Sequence, residues 1–484
     1  MNARRTQLHL SHVWGLAAVL GLALPGCRDQ ATPTAPAARE LTANVAPADP
    51  AGRHLVVFTA ERVPADLGAR VARLGGSIET ALDNIGVAAV TGLSETGAAE
   101  LAAGADIRAV EPDPITRGHD DDEATDDLTE QPTSEAAVPA DATASPTTAR
   151  FYARQWNMRA VFANQAWAAG FLGSRDVKVA ILDSGIDYLL PDLAGLVDLE
   201  HSTSFVPEDV TRHFPGRLPF SDLHGHGTFV TSIVASNANL LAGINRYVTL
   251  LAVKINDSTR ASTASRFLTG IMYATDQGAD VINISDGREF DKSRRPGTIA
   301  AFERAVNYAF QKGALLVTVP FNDGADLDHN GDLVRLPCEA ANAICVAGTG
   351  PTGAAGVNGP WQNVDAPAWY TAFGRSAVSV AAPAGAGPPP IVNVWLPCTT
   401  TPSQTAGRPD CLAGLAITHS RGTSFAAPHV AGLAALLVAQ LGHGNPALIR
   451  ARILQSADDL GEPGTDPYYG KGRINVARAL GLTP

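Results

Sequence analysis

Arg421-Gly422-Thr423-Ser424-Phe425-Ala426-Ala427-Pro428-His429-Val430-Ala431-Gly432 joins a tight Gly-Thr-Ser turn to an apolar run. Residues 428–441 are small or apolar almost throughout and read as a buried core helix, so the turn before them would present one hydroxyl. Thr and Ser are also ordinary helix N-caps, and the stretch by itself implies no chemistry. A serine becomes a nucleophile only beside a base that takes its proton and an acid that holds the base.

Both occur upstream. Val177-Lys178-Val179-Ala180-Ile181-Leu182-Asp183-Ser184-Gly185 reads as a buried strand ending in an acid followed by small residues, which puts Asp183 at a strand's carboxyl end. His224-Gly225-His226-Gly227-Thr228-Phe229-Val230 reads as a glycine-rich turn opening an apolar helix, with an imidazole at its N-terminus. A lone Asp or His is more often a cap or a surface residue. Three such settings in the order Asp, His, Ser point to acyl transfer.

On these residues the chain resembles the subtilisin-like serine peptidases, whose pattern is Asp-Ser/Thr-Gly, His-Gly-Thr and Gly-Thr-Ser-x-Ala-x-Pro in that order. The resemblance covers about residues 153–480. It implies an α/β fold, a largely parallel sheet covered by helices on both faces, and hydrolysis of polypeptides through an acyl-enzyme. Ser424 would be the nucleophile, His226 the base and later the acid, and Asp183 the group that orients the imidazole. His224 is the competing base, but only His226 is followed by Gly-Thr. The family's oxyanion-donating asparagine follows a buried strand and precedes an acidic or glycine residue. Val317-Thr318-Val319-Pro320-Phe321-Asn322-Asp323-Gly324 fits and points to Asn322, which otherwise reads as a turn residue.

Val281-Ile282-Asn283-Ile284-Ser285-Asp286-Gly287 resembles the family's strand whose free edge pairs with an extended substrate, so Ser285, Asp286 and Gly287 are candidate binding residues. Two departures bear on specificity. Asp286 replaces an apolar residue, and Val319, Pro320 and Phe321 replace small ones. The second change predicts a restricted pocket favouring small or modest side chains; the first suggests a basic residue further from the cut.

The 484 residues are 45% hydrophobic and 17% charged, enough for a sizeable core, and the net charge of -12 argues against a general nucleic-acid binder. Arg4 and Arg5 precede an apolar run, 13–24, of signal-peptide length, and Leu24-Pro25-Gly26-Cys27 resembles a bacterial lipobox, with Cys27 the lipidation site. Residues 1–27 are therefore read as a signal peptide and 28–50 as a tether. Residues 51–115 give strands at 54–59, 85–91 and 107–111 and helices at 66–74 and 94–103. This small α/β module resembles the family's inhibitory propeptide. An acidic, Pro/Ala/Thr-rich linker follows over 116–150, and the peptidase domain over 151–484. The expectation is an exported, self-inhibited precursor whose partners are polypeptide substrates and its own propeptide. It would act as a monomer, lipid-anchored at the cell envelope or secreted after maturation, with contact to a membrane only through the anchor.

Cys338 lies near Cys345 and Cys398 near Cys411, so two local disulfides are the simplest of three connectivities. The second pair sits in a Pro-rich stretch, 383–419, read as a stapled surface insertion. No cofactor is needed for the chemistry. Asp326, Asp328, Asn330 and Asp332 have the alternate oxygen spacing of a structural calcium loop but lack the acid at its twelfth position. Asp192 stands where the family often has a calcium ligand, though the loop 236–243 that would complete that site is short. The rival reading is a non-catalytic, peptide-binding surface lipoprotein of the same fold, favoured by Asp286 and Val319-Pro320-Phe321.

Overall fold

The computed structural model describes residues 52–117, 145–401, 411 and 416–483, all within one compact unit, 44–484. The signal peptide, Cys27, the tether and most of the linker lie outside the described residues.

The β-branched runs form the inside of one sheet because their side chains alternate between two buried faces. Ala366–Pro367, Ile344–Gly350, Leu315–Thr318, Val281–Ile284, Gly173–Asp183, Tyr247–Lys254 and Thr203–Ser204 lie side by side in that order, with Val380–Pro383 also paired to Ile344–Gly350. Every pairing is parallel except that of Ala366–Pro367. Val179 and Ile181 point into a core with helices His226–Val234 and Thr423–Leu441. Ala180 and Leu182 point the other way, into a core with helices Ala264–Asp276 and Pro296–Gln311. Helix Thr423–Leu441 has the length and apolarity of a membrane span, yet it is buried in the centre of the molecule.

Three neighbouring strands deliver site residues from their carboxyl ends, where a parallel sheet opens its crevice. Asp183 ends Gly173–Asp183, Ser285 follows Val281–Ile284, and Asn322 follows Leu315–Thr318.

The N-terminal module is a four-stranded antiparallel sheet, ordered Ser77–Leu82, Val87–Thr91, His54–Phe58, Ile107–Pro112. Its helices, Leu67–Arg73 and Glu95–Ala102, cover one face. Strand Ser77–Leu82 was not among the sequence expectations; nearly all of it is exposed or half-exposed, so it carries no buried apolar run. The other face of the sheet, with Leu55, Val57, Ile85 and Val87, shares a core with Phe267 and Phe302 of the two helices. Glu111 closes the join. Its carboxylate accepts the N–H groups of Gly297 (2.7 Å) and Thr298 (2.9 Å) and the Thr298 hydroxyl (2.6 Å), at the N-terminus of Pro296–Gln311. Arg304 of that helix donates to the carbonyls of Phe58, Ile85 and Thr59. Beyond the sheet, Thr116–Arg117 pairs antiparallel with Ala261–Ser262.

Both disulfides, Cys338–Cys345 and Cys398–Cys411, are formed. The stretch read as a surface insertion differs from expectation. Val394–Pro397 and Ile417–Ser420 form a hairpin buried throughout, with Trp395 and Ile417 packed on Leu240 and Leu241. Its apolar content outweighs its prolines.

Candidate active site

Asp183 is fully buried, and its two carboxylate oxygens lie 2.8 and 2.9 Å from His226 Nδ1. The approach depends on two glycines. Gly225, with φ 110°, turns the chain into the helix that His226 opens. A Cβ on Gly227 would stand 2.1 Å from the Gly185 carbonyl oxygen and 3.1 Å from Asp183 Cβ, so only glycine lets the helix press against the strand end. Burial works against the Asp183 charge, but the His226 imidazole, Arg260 and the Ser184 N–H outweigh it and hold the carboxyl below its ordinary range. The carboxylate engages Nδ1, so Nε2 is the ring nitrogen turned away from Asp183.

Ser424 sits at the start of Thr423–Leu441, and the ring of the next residue, Phe425, lies 6.1 Å from the His226 ring. Its hydroxyl donates to the Ser285 carbonyl (3.1 Å), and the Ser285 hydroxyl donates to the Ser424 carbonyl (2.8 Å). The strand end and the helix start are thereby locked together. Asn322 Oδ1 accepts the Thr423 N–H (2.8 Å) and the Thr423 hydroxyl (2.9 Å), which fixes the amide plane and leaves Nδ2 as its donor. His429, on the same helix, is buried between Asn157 and the Phe425 carbonyl, and burial lowers its pKa to about 4, so it is a neutral core residue.

Gly287 and Phe321 face each other. A Cβ on Gly287 would stand 2.8 Å from Phe321 Cε1. Phe321 holds the left-handed conformation, φ 83°, while buried. The Arg335 guanidinium lies 4.9 Å over its ring and donates to the Pro320 carbonyl (2.8 Å) and to Asp323. Val319, Pro320 and Phe321 are thus buried and firmly held, with Asn322 next along the chain.

Asp286 differs from its reading as a contact for a basic substrate residue. It is buried, and its oxygens take the Gly287 N–H (2.7 Å), Arg288 Nη1 (2.8 Å) and Asn256 Nδ2 (2.9 Å). A buried carboxylate requires such partners, and they come from its own chain.

Residues the sequence reading passed over support these groups. Asp222 accepts the N–H groups of His224 (2.9 Å) and Gly225 (2.7 Å) and the Ser184 hydroxyl (3.0 Å) on one oxygen, and the Thr228 N–H (2.9 Å) on the other. It therefore joins the His226 turn to the Asp183 strand. An acid just before a Gly-rich helix start is the usual signature of such a cap.

The calcium readings do not fit the donors present. Asp326 accepts the Asp328 N–H and His329 Nδ1, while Asp328 accepts the Arg375 N–H and the Ser376 N–H and hydroxyl. The carboxylates of Asp326 and Asp328 therefore each serve a separate turn of the chain. Among the described residues no three His, Cys, Asp or Glu side chains form a metal-binding group. Asp192 is surrounded by donors: Asn239 N–H (2.8 Å) and Leu240 N–H (2.9 Å) on one oxygen, Leu241 N–H (3.1 Å) on the other. Peptide N–H groups stand where a cation would need oxygen ligands.

Residues 174–472 match the Subtilase family. The chain is 33% identical over 342 residues to thermitase of Thermoactinomyces vulgaris, covering 69% of this chain and 99% of thermitase. It is 31% identical over 312 residues to subtilisin E of Bacillus subtilis (strain 168), covering 64% and 67%. In fold it is similar to the epidermin leader peptide processing serine protease of Staphylococcus aureus, with a TM-score of 0.67, 20% identity, and 89% and 98% of the two chains covered. It is also similar to fervidolysin of Fervidobacterium pennivorans, with a TM-score of 0.65, 21% identity, and 90% and 61% covered.

Proposed function

This chain belongs to the Subtilase family and is a serine endopeptidase, and on that premise we propose that Ser424, His226 and Asp183 carry the reaction in a precursor held inactive by its own N-terminal module. Ser424 Oγ attacks the peptide carbonyl as His226 Nε2 takes its proton. Asp183 balances the imidazolium, which then gives the proton to the leaving amine. The developing oxyanion takes the Asn322 amide and the Ser424 N–H. The hydroxyl turns from the Ser285 carbonyl to the imidazole by rotation about its own χ1. Hydrolysis of the acyl-enzyme runs the same proton path with water as nucleophile.

The observation that carries self-inhibition is the strand Thr116–Arg117 on the Ala261–Ser262 edge. The segment that follows the module also lies beside the strand end an extended substrate would use, since Arg288, next to Gly287, donates to Thr116, while Glu111 and the shared core hold the module there. Two disulfides suit an exported chain. With Cys27 as a lipid anchor, cutting in the acidic linker would leave the anchor on the module and release the peptidase.

Full-length wild type and Ser424→Ala, expressed for export, test this. Wild type is expected to shorten by the length of the module and linker and to react with a fluorophosphonate probe. Ser424→Ala should stay full length, membrane-bound and unlabelled. Wild type that stays full length and unlabelled would instead match a non-catalytic peptide binder.

A further inference from the structure

The edge that Thr116–Arg117 occupies is watched by one guanidinium. Arg288 Nε donates to the Thr116 hydroxyl (2.8 Å) and Arg288 Nη2 to the Thr116 carbonyl (3.1 Å), so one side chain grips both the main chain and the side chain of this residue. The group is rigid. Nη1 is held by Asp286 (2.8 Å) and by the Gly287 carbonyl (2.6 Å), and the plane lies 4.9 Å from the centre of the Phe267 ring. Both residues of the pair are buried.

Chain contacts place Thr116 near the reaction. Thr116 faces Ser262, whose hydroxyl donates to the Ile255 carbonyl, and the Asn256 N–H donates to the Asp183 carbonyl, so this edge lies beside the strand end that carries the catalytic acid. Arg288 is three residues past Ser285, whose carbonyl accepts the Ser424 hydroxyl. A substrate laid in the place of this segment puts one of its side chains where Thr116 stands.

We propose that Arg288 is a specificity-determining residue, selecting substrates with a side-chain oxygen acceptor (serine, threonine, aspartate or asparagine) at the position Thr116 takes here. It rests on the peptidase reading of the site. A hydroxyl or carboxylate oxygen accepts from Nε. An aliphatic side chain leaves that N–H without a partner in a desolvated place, and a basic one meets a like charge. This reverses the preference that Asp286 alone would suggest, because Arg288 stands between that carboxylate and the substrate.

The test uses matured protein and matched peptides carrying Thr, Asp, Val or Lys at each position on either side of the cut in turn. At one position kcat/KM should be about tenfold higher for Thr and Asp than for Val, and lowest for Lys. Asp286→Leu combined with Arg288→Met removes both members of the buried pair and is expected to bring Thr and Val within about twofold of each other, with the Val peptide still cut. Should that variant fail to melt cooperatively, Arg288→Lys keeps the charge beside Asp286, loses the two-pronged donor, and should lower the same ratio. Equal rates for Thr and Val at every position in wild type, or a ratio unchanged in the variant, overturns the proposal. Wild type that cuts no peptide and takes no fluorophosphonate overturns the peptidase reading, and this one with it.

Discussion

Replacing Phe321 by glycine separates the wall of the pocket from its chemistry. The side chain is 1% exposed, its φ is 83°, and its ring edge occupies the space over Gly287. Loss of a buried phenylalanine costs about 3–5 kcal/mol. Release of a bulky residue from left-handed backbone returns about 1–2 kcal/mol. The net destabilisation is about 1–4 kcal/mol, a fall in melting temperature of roughly 1–6 °C for a domain of this size. The vacated volume is that of an aromatic side chain, bounded by Gly287, Pro320 and Asn322. A substrate side chain that fills it gains the transfer energy of a Leu or Phe, about 1.5–3 kcal/mol. Matched peptides differing only in the residue that donates the cut carbonyl give the measure. Wild type should prefer Ala over Phe there. Phe321→Gly should raise kcat/KM for Phe relative to Ala by about 10- to 100-fold. If wild type already cuts best after large aromatic residues, or if the variant leaves the Phe/Ala ratio unchanged, Phe321 does not wall the pocket.

Asn322→Leu should lower kcat by about 10²- to 10³-fold with little change in KM, since an oxyanion donor acts on the transition state; an equal loss in affinity for a ground-state peptide inhibitor would count against that role. Burial raises the Asp192 pKa from 3.8 to about 6 despite its three N–H donors. The folded form then holds this proton more tightly than the unfolded form, so the group's contribution to stability is full below about pH 4 and is lost as pH rises through 6. Roughly two pKa units correspond to about 3 kcal/mol, so the stability gap between wild type and Asp192→Asn should shift in favour of the variant by that order between pH 4 and pH 7. Calcium or a chelator should leave the wild-type melting temperature unchanged, and a rise of several degrees with calcium would show that a cation displaces the N–H donors.

The chemistry was legible because it is written in short-range backbone demands. Asp183, His226 and Ser424 each stand at a strand end or a helix start marked by glycines, and Gly225 and Gly227 are there for conformation and clearance that no other residue supplies. Asn322 could be found for the same reason, four residues beyond the end of a buried strand. What the sequence hid depends on partners brought in by the fold. The Asp328 carboxylate looks like a ligand in a row of oxygens, but its partners, Arg375 and Ser376, arrive from another loop. Arg335 reaches Pro320 and Asp323 across a loop. Asp286 is a different case. Its partner lies two residues on, and positions i and i+2 of an extended chain share a face, so the Asp286–Arg288 pair could have been read. Strand Ser77–Leu82 escaped because most of it is not buried, and sequence patterns report burial more directly than hydrogen bonding.

The central position of helix Thr423–Leu441 bears on the timing of synthesis. Its N-terminus carries Ser424, the nucleophile of the proposed reaction, and its apolar surface packs on strands as early in the chain as Gly173–Asp183. A ribosome-bound chain that already displays Asp183, His226 and Asn322 still lacks both the hydroxyl and the body that packs the sheet around it. The proposed reaction therefore needs a helix made after every strand of the central sheet, whereas the N-terminal module is made before any of them.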